Sequence, residues 1–158
     1  MPKSDQAFTK KDFQEFLASS KQKPNTLTVQ IEERKAIWLN SLESLYIKIK
    51  IWLQDLDVKI EERQDSIYEQ FAGEYKVPVL VINFLELNEN IGFFPIGMFV
   101  LGADGKVEVA GRFSKVSLIE KSWDKWEILK ITPGNVERTE LTEENFYKLI
   151  KQMVQIGN

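Results

Sequence analysis

Histidine and cysteine are both absent from this chain of 158 residues. Histidine is the usual proton shuttle near neutral pH and the commonest metal ligand, and cysteine is the strongest side-chain nucleophile. Without them there is no Ser-His-Asp triad, no Cys-His dyad and no zinc site of the His or Cys type. A disulfide scaffold is excluded as well, although that alone says nothing about compartment. Any enzyme built here works with carboxylates, lysine, tyrosine, serine or a cofactor invisible in the sequence. No metal and no cofactor is expected. Any pH dependence between about 6 and 8 must come from the α-amino group or a strongly shifted side chain.

A surplus of positive charge is also lacking, with 21 Lys and Arg against 24 Asp and Glu. Neither half of the chain has the basic excess that binding a phosphate backbone requires, so nucleic acid is not an expected partner. The opening Met1-Pro2-Lys3-Ser4-Asp5 has no apolar signal core, and no apolar run approaches the ~20 residues that span a bilayer. The expectation is a cytoplasmic protein without a membrane partner.

What is present describes one α+β domain over residues 1–158. Residues 1–24 hold a short helix and a loop. Thr9-Lys10-Lys11-Asp12 reads as a capping box, and Phe13, Phe16 and Leu17 give the helix one apolar face. Residues 25–56 hold a long amphipathic helix, helical from about residue 28. Ile31, Trp38, Leu42, Leu45, Ile49, Trp52 and Leu56 form its seam, and Leu39, Tyr46 and Leu53 widen it. Residues 25–31 alternate as a strand would, and the seam also permits a helix running on to about 72.

The antiparallel sheet is predicted over 66–140 as a meander of five to six strands. Val77–Phe84 is apolar on both faces and reads as a central strand entered near Pro78. Met98–Leu101 and Val107–Val109 flank Gly102–Lys106 as a hairpin, and Val116–Lys121 and Trp126–Ile131 flank Ser122–Lys125 as another. Residues 141–158 close the chain with a helix capped by Thr142, burying Phe146, Leu149, Ile150 and Met153. The helices are expected on one face of the sheet.

Motifs with chemical content are few. Asp55, Asp57, Glu61, Glu62 and Asp65 lack calcium-loop spacing and read as solvated linker charge. Gly102-Ala103-Asp104-Gly105-Lys106 lacks phosphate-loop spacing and reads as a turn. Glu74, Glu86, Glu108, Glu120 and Glu127 lie on or beside strands and could supply a catalytic carboxylate pair. Their alternation with apolar residues points instead to the wet face of a sheet. Arg112, Lys115, Lys121 and Lys125 could bind an anion, but acids are interleaved with them.

Surplus apolar surface carries the functional expectation. Ile37, Ile47 and Ile51 lie off the main stripe of the long helix, to be buried by the N-terminal helix or by a partner. Trp123 falls at a hairpin tip, where an indole either folds back or meets a partner. These four residues form the expected partner-binding set, for another protein or for a second copy in a homodimer. Tyr75, Asn83, Phe93, Phe94 and Trp126 are the candidates for an aromatic ligand pocket between sheet and long helix. The chain therefore reads as a non-catalytic interaction or adaptor module. A small-ligand domain is the alternative, and a carboxylate enzyme a third.

Overall fold

The computed structural model describes residues 7–22, 25–100 and 103–155. In chain order it has α1 (Lys10–Gln22), α2 (Asn25–Trp52), β1 (Val58–Glu69), β2 (Gly73–Phe84), β3 (Glu89–Gly97), β4 (Gly105–Ala110), β5 (Lys115–Ser122), β6 (Lys125–Thr132), β7 (Asn135–Glu140) and α3 (Glu143–Gln155). The strands form one antiparallel sheet in sequence order, and α2 and α3 cover one face. This is the α+β layout read from the sequence, with seven strands rather than five or six. No helix among the described residues is long and apolar enough to cross a membrane.

The helices obey their capping signals. Thr9 and Asp12 exchange reciprocal bonds, Asp12 Oδ2 accepting the Thr9 N–H at 2.9 Å and Thr9 Oγ1 the Asp12 N–H at 3.2 Å. Thr142 Oγ1 accepts the Asn145 N–H at 3.1 Å, and α3 buries Phe146, Leu149, Ile150 and Met153 as its periodicity requires. The start of α2 is helical from Asn25, which settles the ambiguity of residues 25–31. Its end falls at Trp52, short of both 56 and 72, because Asp55 takes a φ of 65° and turns the chain out of the helix.

Residues 58–65, suggested by the sequence to be a charged linker, belong to a strand that runs from Val58 to Glu69. The sheet accordingly begins at 58, not 66. An edge strand with one side in water tolerates this many charges, and charge there discourages pairing with another chain. β1 is in full register with β2 from Val58 opposite Phe84 to Glu69 opposite Gly73. Of the expected strand at Met98–Leu101, Met98 and Phe99 lie outside the ladder because β3 ends at Gly97, Val100 makes only an isolated bridge to Ala103, and Leu101 lies outside the described residues. The Met98 and Phe99 N–H groups go to Glu69 Oε1 at 3.0 and 2.9 Å instead of to a neighbouring strand. Glu69 Oε2 also accepts the Tyr75 hydroxyl. Part of the Gly102–Lys106 turn lies outside the described residues.

The core joins α2, α3 and the sheet through ring contacts of Trp38 with Trp126, Trp52 with Phe146, and Phe93 with Phe146. Pairing of β2 with β3 stops at Leu80 opposite Phe93, just before Pro78 and Pro95 would meet. Tyr46 from α2 reaches this split, its hydroxyl 2.7 Å from the Pro78 carbonyl and 3.3 Å from that of Phe93. Val79 and Leu80 are both buried, and Tyr75 and Val77 join the core despite opposite parity to Ile82. Beyond Pro78 the β1–β2 hairpin thus turns its other face inward.

Phe13, Phe16 and Leu17 of α1 stay exposed, and so do Ile37, Ile47 and Ile51. The expected cover of α2 by the N-terminal helix is therefore not made. Length explains part of this: α1 spans about 20 Å, whereas Ile47 lies about 33 Å along α2 from its start.

Two stability predictions follow from this packing. Tyr46→Phe leaves the Pro78 carbonyl without its hydroxyl partner and lowers unfolding free energy by about 1–2 kcal/mol, read from urea midpoints. A Cβ on Gly105 would overlap atoms of the Trp38 ring. Gly105→Ala therefore costs about 1–3 kcal/mol by overpacking, measured the same way.

Candidate functional site

One cleft gathers residues from three separated stretches of chain. Arg34, Ile37 and Trp38 of α2, Asp104 before β4, Glu120 of β5 and Trp123 of the β5–β6 turn line a space of about 330 Å³. The turn is pinned in place by Asp124, whose φ of 58° lets it reverse the chain. Its carboxylate accepts the Ser44 hydroxyl at 2.9 Å and pairs with Lys48 at 2.9 Å, both on α2. Lys48 also donates to the Asp124 carbonyl at 3.3 Å. Held this way, Trp123 stands over the cleft with 54% of its surface exposed, and Ile37 faces solvent at 55%.

Glu120 is only 2% exposed. Strand alternation explains why: it shares the parity of Leu118 and lies opposite Trp126 and Gly105, all on the helix-covered face. Burial pushes its carboxyl above the usual carboxylate range. The Ser41 hydroxyl and the Asp124 N–H, 3.0 Å from Oε2, pull it back, while Asp104 and Asp124 add repulsion. Among the described residues no lysine or arginine pairs with it. Ser41, fully buried, has this carboxylate as its polar neighbour and no other group to bond among the described residues. Arg34 is turned elsewhere, donating to the Met98 carbonyl at 2.8 Å with its guanidinium 4.7 Å from the centre of the Phe99 ring.

The structure thus brings Ile37 and Trp123 together and leaves Ile47 and Ile51 further along the exposed side of α2. The five pocket candidates do not converge. Tyr75, Phe93 and Trp126 are packed in the core, whereas Asn83 and Phe94 alternate onto the opposite face. Trp126 reaches the edge of a separate surface depression with Lys48, Lys121, Asp124, Lys125 and Glu140.

Charged candidates mostly follow their bland reading. Glu108 and Glu127 pair on the open face with Lys115 at 3.3 Å and Arg138 at 3.9 Å. Glu74 and Glu86 are exposed, and Arg112 lies 3.6 Å from Glu89. Glu61, Glu62 and Asp65 pair with Lys59, Lys50 and Arg63. Among the described residues no three acidic side chains converge to hold a metal ion.

Sequence reasoning placed Glu120 on the wet face and did not connect Arg34, Ser41 or Asp104 with Trp123. A signal for Glu120 existed, since Val116, Leu118 and Glu120 share one parity of an otherwise inward-facing strand.

Comparison with protein-family models, with curated proteins and with solved structures finds no match to this chain.

The raised carboxyl of Glu120 has a pH consequence. The folded state keeps a proton that the unfolded chain releases above its ordinary value of 4.5. Stability therefore falls as pH rises from there through the raised folded value. Glu120→Gln removes this loss, so its melting temperature exceeds that of the wild type by a margin that widens with pH. Calorimetry from pH 4 to 8 checks this, and a margin that stays constant or narrows contradicts it.

Proposed function

We propose that the protein is a non-catalytic interaction module that docks a partner protein at the cleft between α2 and the β5–β6 turn. The observation that carries this reading is the convergence of Ile37 and Trp123, two large apolar side chains remote in sequence and half-exposed, on one rim. Tryptophan is among the residues that dominate binding hot spots, and this rim offers Trp123. Pinning of the turn by Asp124 means that little ordering entropy is lost when a partner arrives. A stable interface buries roughly 1,200 Å² or more, which exceeds the cleft. Ile47 and Ile51, up to about 21 Å further along α2, supply apolar surface to extend it.

Carboxylate-dependent catalysis is a second reading, because Glu120 is buried and Asp104 lines the same cleft. Loss of glycoside turnover in both Asp104→Asn and Glu120→Gln would favour it.

Peptide display against the wild type tests the docking reading. Selected peptides should lose at least about tenfold in affinity on Trp123→Ala and on Ile37→Asp, about 1.4 kcal/mol or more. Peptides that bind both variants as tightly as the wild type would contradict it.

A further inference from the structure

We infer that the anchor accepted by this cleft is a basic side chain of the partner protein, its ammonium or guanidinium group reaching Glu120 while Trp123 and Ile37 hold the apolar stem. This rests on the reading of the cleft as a docking site and goes further by naming the chemistry of the occupant.

The argument begins with charge. Besides Glu120, the ionisable groups lining the cleft are Arg34 on α2 and Asp104 before β4; Asp124 and Lys48 hold the adjoining turn, with Lys121 and Lys125 at the neighbouring depression. Asp124 and Lys48 neutralise each other at 2.9 Å. Arg34 is held against the Met98 carbonyl and the Phe99 ring. Glu120 and Asp104 are left with no ion pair among the described residues. A carboxylate removed from water without a counter-charge is costly, and the cost is relieved when a cation arrives.

Hydrogen bonding points the same way. Glu120 Oε2 receives one backbone N–H, and the buried Ser41 hydroxyl beside the carboxylate favours its charged form while bonding nothing else among the described residues. An ammonium has three donors and a guanidinium five, enough to use the carboxylate and the hydroxyl oxygen together. An anion or a second carboxylate finds repulsion at Glu120 and Asp104. A purely apolar anchor leaves the carboxylate without a counter-charge.

The walls suit the stem of such a side chain. Lysine and arginine carry three or four methylene groups beneath the charge, and these pack on apolar surface while the head is bound. Ile37 and Trp123 provide that surface at the rim, and an indole face also attracts cations.

The test is an NMR titration of the full chain with n-butylammonium, n-butylguanidinium, n-butanol and butyrate. Readouts are the Trp123 indole N–H and the Asp124 backbone N–H. The two cations should shift both signals with dissociation constants of about 1–10 mM, as the size of so small a probe allows. Butanol should bind at least tenfold more weakly, and butyrate should leave the signals unmoved. Glu120→Gln should remove the preference for cations over butanol, and Arg34→Met should keep or strengthen it by removing a like charge. Dispersed spectra verify that both variants fold.

Equal binding of butanol and butylammonium would overturn the basic anchor while leaving an apolar docking cleft in place. Preferential binding of butyrate would overturn it in favour of an anion held by Arg34. Absence of any shift with all four probes would overturn it too, and display peptides that ignore Trp123 would remove the docking reading itself.

Discussion

The hydroxyl of Tyr46 occupies the one place where the sheet comes apart. Pro78 and Pro95 would face each other across β2 and β3, and the ladder stops just before them. The carbonyls of Pro78 and Phe93 are thereby freed inside the protein, where an unmet carbonyl is expensive. Tyr46 reaches both from α2, and burial raises its phenol well above the ordinary tyrosine range, so it stays a donor at all working pH. This contact fixes how α2 lies across the sheet. It also lets the β1–β2 hairpin turn Tyr75 and Val77 inward beyond the split.

Everything at the cleft depends on that placement of α2. With the helix set at Tyr46, residues two to three turns earlier fall beside the ends of β4 and β5. Trp38 packs on the backbone of Gly105, where no side chain fits, and Gly105 lies opposite Glu120. On the other side of Trp38 the Glu69 carboxylate gathers Tyr75, Met98 and Phe99, giving the chain after β3 a fixed course and Arg34 a carbonyl to hold. The cleft is therefore a consequence of core packing on both of its flanks and is formed before any partner binds.

Local signals were legible in the sequence where one element decides them. The capping of α1 and α3, the buried stripe of α3, the seam of α2 and the β5–β6 hairpin all follow from spacing and turn chemistry. Harder cases were those decided by partners remote in sequence. Residues 58–65 look like a solvated linker because their charges are solvated, and only the strongly β-forming Val77–Phe84 beside them makes a strand. Met98 and Phe99 look like ladder residues, but a carboxylate 29 residues earlier takes their N–H groups. Ile37 and Trp123 were each visible as surplus apolar surface, yet no pattern in the chain says that they meet, or that Glu120 lies beneath them.

A chain without histidine holds a buried carboxylate raised above its ordinary range, at the base of a cleft with an exposed tryptophan on its rim. The central claim is that this cleft meets a partner protein. Photo-crosslinking in cells that naturally express the protein tests it most directly, with benzoylphenylalanine at position 37 or, separately, at position 131 on the exposed surface of β6. The account predicts a discrete crosslinked species from position 37 that disappears on Trp123→Ala and is absent from position 131. Crosslinking from position 37 that persists unchanged in Trp123→Ala, or none there while position 131 gives a discrete species, would contradict it.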